Sequence, residues 1–365
     1  MSAERAPGAG FRSAGGRRAS GTGVPVTRLA IVADDLTGAL DAGAGFAMRG
    51  ARVRVARSLT DLPEALASGA EVIALSTGTR DLGVAEAQAR LAEVRALLGA
   101  QPLLFKKIDS RLKGPIAAEL AALLEGDPRP ILATPAIPAL GRFCEAGAVT
   151  GAGVDRPIAV APALGRPARV IDARTDAEIE AALPDDLAAQ VFVGAAGLAA
   201  ALARRLWPGA ASTRTHLLST PALFAIGSRD PVTLAQIAAP HALPIRDAPN
   251  GAVPALPATD ALLVRMTPAE PACPAAVAGD TFARGIAASM AARPVATLFA
   301  CGGESANAIL AELGIGQLDL LGELLPGIPV SEARHAGRRL RIVTKSGGFG
   351  PPDTVVKLVK FLERV

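Results

Sequence analysis

The sequence has few aromatic residues: no tyrosine, one tryptophan and ten phenylalanines among 365 residues. Proteins that bind nucleic acids combine a basic surface with aromatic side chains that stack on bases. The net charge of +4 is accounted for by residues 1–28, which hold five arginines and one glutamate, so the rest of the chain is neutral. Despite a pI of about 9.3, these features argue against nucleic acid as a partner.

Cysteine is also scarce, and no long apolar run is present. Cys144, Cys273 and Cys301 lie far apart, which argues against both a disulfide framework and a zinc site and indicates a reducing, cytoplasmic environment. No apolar stretch approaches the length that spans a bilayer, so we expect no membrane association. Half of the residues are apolar, enough for two domains with full cores.

Strands and helices alternate along most of the chain. Residues 1–27 are rich in Gly, Ala, Ser and Arg and are predicted to be a disordered extension. The alternation runs through residues 28–215, passes a linker at residues 207–220 and restarts in residues 216–365. It predicts an α/β protein of two domains, each a mostly parallel sheet flanked by helices.

Residues 29–50 organise the first of these domains. The apolar run LAIVA predicts a buried strand, and it ends on Asp34 and Asp35, where a helix begins. One of these acids can cap the helix. Two charges at the carboxyl edge of a parallel sheet also need a partner, such as a hydroxylated substrate or a metal. Arg80, at the end of a strand predicted within residues 71–80, falls at the same edge.

A second dense stretch, residues 102–124, runs from an apolar strand into KKIDSRLKGP and then a helix from Ile116. The chain has six lysines against thirty-two arginines, and three of the six lie in residues 106–113. This concentration of charge predicts a grip on a carboxylate or a phosphate. Asp109, among basic residues, is interpreted as a held, ionised acid.

The second domain contains three units of strand, polar glycine turn and helix. Their turns lie at residues 227–231, 301–305 and 345–350. Glycines let backbone N–H groups approach phosphate oxygens at helix N-termini. No Walker sequence is present, yet three such turns in one domain, with Lys345 beside the last, favour a nucleotide phosphate site.

Six motifs in order carry a family resemblance: ADDLTGALDAG, KKIDSRLKG, PALGR, GSRDPVTLAQI, GGESANAIL and VTKSGGFG. The chain resembles the four-carbon acid sugar kinase family over residues 28–365. The resemblance implies an ATP-dependent kinase that phosphorylates the 4-hydroxyl of threonate, erythronate or 3-oxo-tetronate. Phosphoryl transfer generally requires neutralisation of the phosphate oxygens, so we expect Mg²⁺ as cofactor, and a homodimer is a possible assembly. It implies a sugar-acid-binding domain over residues 28–215, an ATP-binding domain over residues 216–365 and an active site in the cleft between them.

The resemblance also implies site residues. The substrate residues are Asp34, Asp35, Arg80, Lys107, Asp109, Arg111 and Lys113. The nucleotide residues are Ser228, Gly302, Gly303, Glu304, Ser305, Gly347 and Gly348, and the phosphate-loop reading adds Lys345. The family usually has Thr and Arg where this chain has Arg111 and Lys113, and Thr where it has Cys301 and Ser305; these differences bear on substrate choice.

The mechanism expected from this reading uses a carboxylate base, Asp35 first and Asp109 second, and closure of one domain on the other. Two alternatives stay open at this point. A sugar-acid-binding or regulatory protein of the same fold would bind the acid without kinase activity. An isomerase or aldolase-type enzyme would use Lys107 as a nucleophile.

Overall fold

The computed structural model describes residues 27–209, 211 and 216–362. The predicted extension at residues 1–27 therefore lies almost entirely outside the described residues, as does part of the predicted linker.

The described chain alternates strands and helices, as the sequence pattern predicts. The strands of the first half are β1 (Leu29–Ala33), β2 (Val53–Ala56), β3 (Val72–Ser76), β4 (Leu104–Lys107), β5 (Ile131–Thr134), β6 (Arg142–Glu145), β7 (Ala148–Gly151), β8 (Ile158–Ala159), β9 (Ala168–Val170) and β10 (Val191–Gly194). The helices of the first half are α1 (Leu36–Met48), α2 (Leu62–Ala67), α3 (Val84–Leu98), α4 (Ile116–Leu123), α5 (Val160–Leu164), α6 (Asp176–Ala181) and α7 (Ala196–Leu206).

The second half begins after the predicted linker. Its strands are β11 (Ala222–Ile226), β12 (Ile245–Pro249), β13 (Ala261–Thr267), β14 (Thr297–Cys301), β15 (Gln317–Leu325), β16 (Ile328–His335) and β17 (Arg338–Lys345). Its helices are α8 (Pro231–Ala238), α9 (Ala275–Ala292), α10 (Gly303–Glu312) and α11 (Thr354–Val359).

Fourteen strands form one continuous sheet, in the order β12-β13-β11-β14-β17-β16-β15-β2-β3-β1-β4-β10-β5-β9. The seven strands from β2 to β9 are parallel, as are the five from β12 to β17. The predicted α/β class with two mostly parallel sheets is confirmed. The sequence does not predict the antiparallel pairing of β2 with β15, which joins the two parallel regions into one sheet.

The strands β15, β16 and β17 form an antiparallel meander between the two parallel regions. In a flat sheet this meander would leave the carboxyl ends of the two regions on opposite edges. Neighbouring strands rotate by roughly 20–25°, so the six steps from β1 to β14 add up to roughly 120–150° of twist. Register shifts between Leu320 and Gly322 and between Glu323 and Leu325 favour stronger local twist. A twist of this size would turn the two sets of carboxyl ends toward each other, in agreement with the closeness of Gly303 to Asp35.

Helix α1 lies at the junction of the two halves. A β-carbon built on Gly43 would lie 2.8 Å from Leu320 Cδ2 of β15 and 3.3 Å from Val53 Cγ1 of β2. The absence of a side chain at Gly43 thus lets α1 lie close to strands of both halves. The remaining strands β6, β7 and β8 form a small antiparallel sheet of their own.

Candidate active site between the two halves

The two acids at the end of β1 are held together by one arginine. Asp34 accepts hydrogen bonds from Arg80 Nε and Nη2, both at 2.8 Å. Asp35 accepts from Nη1 at 2.8 Å and from Nη2 at 2.9 Å. Strands β1 and β3 are parallel neighbours with Ala33 opposite Ser76, so the turn after β3 places Arg80 against both acids. This arrangement fixes the orientation of the Asp34 and Asp35 carboxylates.

Asp35 has two further hydrogen bonds at the start of α1. Its Oδ1 accepts from the backbone N–H of Gly38 at 2.8 Å, which makes it the N-cap of the helix. Its Oδ2 accepts from Thr37 Oγ1 at 2.5 Å. Because a cap and an ion pair act on one side chain, Asp35 is a rigidly positioned carboxylate.

The electrostatics favour the charged forms of this cluster. Burial opposes ionisation of Asp34, but the hydrogen bond from Arg80 and the charges of Lys106, Arg80 and Lys107 hold its pKa below the ordinary value of 3.8. Burial likewise opposes the charge of Arg80, and the neighbouring acids, including Asp109, more than offset it and raise its pKa. Asp34 and Arg80 are therefore charged throughout the physiological pH range.

The lysines of the second dense stretch divide into interior and surface groups. Lys106 and Lys107 belong to β4 and are buried, whereas Lys113 is exposed. Lys106 Nζ lies 3.1 Å from Glu119 Oε2, a buried ion pair. Lys107 Nζ donates to the carbonyl of Ile108 at 3.0 Å and would lie 3.3 Å from a β-carbon on Gly38. Lys107 is thus close to the acid cluster, while Lys106 supports the interior.

The loop after β4 carries Asp109 and Arg111. Asp109 Oδ1 accepts from the backbone N–H of Arg111 at 2.8 Å. Its Oδ2 accepts no hydrogen bond from the residues that the structure describes. Gly114, at the end of this loop, lies against the turn of Arg80: a β-carbon on it would be 3.1 Å from Arg80 O. The loop therefore borders the acid cluster.

The three glycine turns of the second half meet at one place. Ile226, Cys301 and Lys345 are aligned at the ends of β11, β14 and β17. Backbone N–H groups of Gly227 and Ser228 donate to the carbonyl of Cys301 at 3.0 and 3.2 Å. The turns pack so closely that the predicted nucleotide residues adjoin one another, with Ser305 beside the 227–228 turn, Ser228 beside Gly302 and Gly347, and Gly348 beside Asp230.

Lys345 supports the last glycine turn from beneath. Its buried Nζ donates to the carbonyls of Ser346 and Gly347, each at 2.9 Å, and of Phe349 at 3.0 Å. It also donates to Thr233 Oγ1 at 3.2 Å. In this arrangement the ammonium holds the shape of the turn.

Two residues of α8 share this task, and sequence reasoning did not assign them a role. Thr233 Oγ1 donates to the carbonyl of Gly347 at 2.7 Å. Gln236 Nε2 donates to the carbonyls of Phe349 and Gly350, each at 2.9 Å. Their three-residue spacing places both on the buried face of an otherwise apolar helix, a pattern that signals a polar contact in the interior.

One glycine turn of the second half lies beside the acid cluster of the first. A β-carbon built on Gly303, the first residue of α10, would lie 3.4 Å from Thr37 Oγ1 and 3.6 Å from Asp35 Oδ2. Gly302, which caps α10, has a φ of 102° that glycine adopts readily. The positive end of α10 thus points at the Asp35 side of the site.

The residues fit a hydrated magnesium ion better than a protein-enclosed metal. Within the described residues there is no group of three or more His, Cys, Asp or Glu side chains that could hold a metal ion. Mg²⁺ in nucleotide sites is bound largely by phosphates and water, with one or two carboxylates. Glu304, exposed in the first turn of α10, is a carboxylate in a suitable place. No helix of the described chain has the length and apolar character needed to cross a membrane.

Comparisons with known proteins agree with this division of roles. A family model described as a sugar-binding N-terminal domain matches residues 29–163, and one described as a nucleotide-binding C-terminal domain matches residues 264–355. A D-threonate kinase of Bordetella bronchiseptica is 30% identical over 401 residues, covering 90% of this chain and 96% of the relative. A D-erythronate kinase of Heliobacterium modesticaldum is 35% identical over 126 residues, covering 33% of this chain and 29% of the relative.

Solved structures share the fold. A Salmonella typhimurium LT2 protein described as a candidate tRNA synthase has a TM-score of 0.74 and 19% identity, covering 90% of this chain and 98% of its own. A Haemophilus influenzae protein has a TM-score of 0.65 and 20% identity, covering 91% and 99%. At these identities the two structures show a common fold alone. The match to the Bordetella relative over nearly its whole length and the two family models in order show that the chain belongs to the four-carbon acid sugar kinase family.

Proposed function

We propose that the protein is an ATP-dependent kinase that phosphorylates the 4-hydroxyl of a four-carbon sugar acid: threonate, erythronate or 3-oxo-tetronate. The observation that carries this proposal is the proximity of Gly303 to Asp35 and Thr37: a β-carbon built on Gly303 would lie 3.6 Å from Asp35 Oδ2 and 3.4 Å from Thr37 Oγ1. Phosphoryl transfer requires the donor phosphate and the acceptor hydroxyl to lie side by side. Here the helix N-terminus suited to the phosphates lies against the acids suited to the polyol.

The substrate residues proposed for the sugar acid surround the ends of β1, β3 and β4. In this proposal the Asp34 and Asp35 carboxylates accept hydrogen bonds from substrate hydroxyls, and Arg80 holds both acids in place. Lys107 and the loop with Asp109, Arg111 and Lys113 provide positive charge for the substrate carboxylate. The proposal thus gives each end of the acid a complementary group.

The nucleotide phosphates are proposed to bind the glycine turns. The proposed contacts are Ser228, Gly302, Gly303, Glu304, Ser305, Gly347 and Gly348, with Lys345 maintaining the last turn. Glu304 would contact the hydrated Mg²⁺ of the nucleotide, which supplies charge neutralisation at the phosphates. Backbone N–H groups at the start of α10 favour negative charge in the same place.

The chemical step needs a proton acceptor at the 4-hydroxyl. We assign this role to Asp35, with Asp109 as the second choice. The bond from O4 to the γ-phosphorus forms while the bond from that phosphorus to the β,γ-bridging oxygen breaks, and ADP leaves. The hydroxyl proton passes to the carboxylate. Asp35 suits this role because its Oδ2 faces Gly303.

A coupled assay of ATP consumption across D- and L-threonate, erythronate and 3-oxo-tetronate tests the proposal. We expect turnover with at least one acid, and Asp35→Asn should lower kcat by two or more orders of magnitude while ATP affinity is retained. Absence of ATP consumption with every acid, by protein that still binds one of them, would favour a binding or regulatory protein of the same fold. An unchanged kcat in Asp35→Asn would remove the assignment of the base.

The aldolase-type alternative finds less support. Lys107 is buried and donates to the carbonyl of Ile108, so its nitrogen lacks the open approach that Schiff-base formation with a substrate carbonyl needs. Borohydride trapping with 3-oxo-tetronate, the acid of this group that has a ketone, would leave a reduced adduct on Lys107 if that chemistry took place.

A further inference from the structure

Two arginines beside the proposed substrate site carry charge that nothing in the described chain neutralises directly. Arg142 begins β6 in the small antiparallel sheet, and Arg111 follows β4. Both are partly buried, and neither forms an ion pair with a described residue. A methyl group built on Gly153 would lie 3.2 Å from Arg142 Nη2 and 4.0 Å from Arg111 Nη1. Two guanidinium groups therefore border one small space.

The position of Arg142 is fixed by the protein. Its Nη1 donates to Ser110 Oγ at 2.6 Å. Its Nε and Nη2 donate to the carbonyl of Ala152 at 3.0 and 2.7 Å. These bonds tie the hairpin of the small sheet to the loop after β4. A guanidinium in a fixed orientation is the arrangement that recognises a carboxylate through two parallel hydrogen bonds.

The electrostatics at this place are unfavourable without an anion. Burial and the charge of Arg111 lower the pKa of Arg142, and Asp109 offsets this only in part. The negative charge of Asp109 also acts on Arg80, so the arginine pair and the acid cluster border the same loop. Like charges held side by side near a polar site favour a ligand of opposite charge.

We propose that Arg142 and Arg111 form a clamp for the carboxylate of the sugar acid, with Arg142 as a specificity-determining residue that discriminates acids from uncharged polyols. This inference rests on the proposed function for the identity of the ligand. In it, the carboxylate lies at the Arg142 end and the hydroxyl to be phosphorylated lies at the Asp35 end. The small sheet then has a role: it brings Arg142 to the loop after β4.

Calorimetric binding of D-threonate and D-erythronate without ATP tests the clamp, and threitol and erythritol serve as the uncharged ligands. We expect Arg142→Met to weaken binding of the preferred acid by 10- to 100-fold, the loss of a charge-assisted pair, with a smaller loss in Arg142→Lys. Binding of the uncharged polyol should change by less than twofold. Arg156→Met is the matched control, since Arg156 is an exposed arginine between β7 and β8 of the same small sheet, and it should bind like the wild type.

A second variant guards against misfolding, because Arg142 also supports the hairpin. The Arg111 side chain forms no hydrogen bond with the described residues, so Arg111→Met should fold normally and weaken acid binding by at least tenfold. Acid binding within twofold of wild type in either folded variant would overturn the clamp, as would an equal loss for acid and polyol, or a wild-type protein that binds neither acid. Acid binding that depends on Arg142, in a protein that never consumes ATP, would support the clamp and refute the kinase.

Discussion

Replacing Gly303 with alanine tests the contact on which the proposed active site depends. The added methyl group would lie 3.4 Å from Thr37 Cγ2 and Oγ1 and 3.6 Å from Asp35 Oδ2. These are near-normal van der Waals distances, and Gly303 begins a helix. We therefore expect the variant to fold and to gain up to about 1 kcal/mol in free energy of unfolding, because alanine restricts the unfolded chain.

Catalysis should respond in the opposite direction. The methyl group would fill the space between the N-terminus of α10 and Asp35, where the proposal places the γ-phosphoryl group and the acceptor hydroxyl. A displacement of about 1 Å at such a point can lower the rate by about 100-fold, which corresponds to about 2.7 kcal/mol of transition-state stabilisation. We expect kcat/KM to fall by at least that factor in the ATP-coupled assay, measured with the acid that the wild type prefers.

Two control variants separate this effect from general damage. Gly83→Ala alters the N-cap of α3, which has a φ of −65° and no atom within 4 Å of the added group. The gain from restricting the unfolded chain opposes the loss from a poorer N-cap, so stability should change by less than about 1 kcal/mol and activity should stay unchanged. Gly302→Ala forces alanine into a φ of 102° with Ser228 N at 3.2 Å, so it should lose about 1–3 kcal/mol of stability. A Gly303→Ala protein that is stable and retains wild-type kcat/KM would refute the proposed path of the phosphoryl group.

Three further predictions concern charge in the interior. Arg80→Met should lower the free energy of unfolding by about 3–5 kcal/mol in urea at pH 7, because it leaves the Asp34 charge buried without its main partner. In the wild type the free energy of unfolding should fall as the pH drops below about 3.8, the ordinary pKa of this acid. A free energy of unfolding that does not change with pH in this range would contradict the ion pair. Burial and the charge of Asp41 raise the pKa of Glu323 to about 7. The folded state therefore binds the extra proton, and the free energy of unfolding should decrease as the pH rises from 4.5 to 7. Burial also raises the pKa of Asp41, so Glu323→Gln should reduce this decrease without abolishing it, and an identical slope in both proteins would count against the role of Glu323. Lys345→Met should raise KM for ATP at least tenfold and cost about 3 kcal/mol, because it removes the donor that holds the last glycine turn, while calorimetric binding of the sugar acid stays unchanged.

Much of the fold could be predicted from the sequence, because the apolar runs in the sequence are the segments that are buried in the structure. The helix expected from Ile116 is α4, and the helix expected after Asp34 and Asp35 is α1. The strands that end at Ala33, Ile226 and Cys301 are short apolar runs buried on both faces. Such runs, followed by polar turns, are the strongest sequence signals of a parallel sheet.

The sequence does not predict that the meander of β15, β16 and β17 joins the two parallel regions of the sheet. Of these strands, the sequence pattern predicts only the one that precedes the turn at residues 345–350. The decisive contact joins Gln317 with Ala56, residues far apart in the chain, and no local pattern specifies such a pairing. The proline- and alanine-rich stretch from Ala248 to Gly279 contains β13, part of β12 and the start of α9. Pro249 is tolerated there because β12 is an edge strand.

Residue type was a weaker guide to the location of charge. The lysines of residues 106–113 were read together as a grip on an anion, yet Lys106 pairs with buried Glu119 and Lys113 is exposed. One sequence pattern thus includes an interior ion pair, a group beside the acid cluster and a surface charge. The difference depends on which atoms pack above each strand end, and that is set by tertiary structure.

The shared strand pairing between the halves has a mechanical consequence. Strands β2 and β15 are joined by backbone hydrogen bonds. The two halves therefore cannot separate as domains on a flexible linker would, because separation would expose two unpaired edge strands. The motion that admits and releases nucleotide should therefore be a twisting of the continuous sheet. We expect the sheet to bend most easily at the register shifts in β15. For the same reason, we expect either half, expressed without the other, to self-associate through its exposed edge strand, β2 or β15.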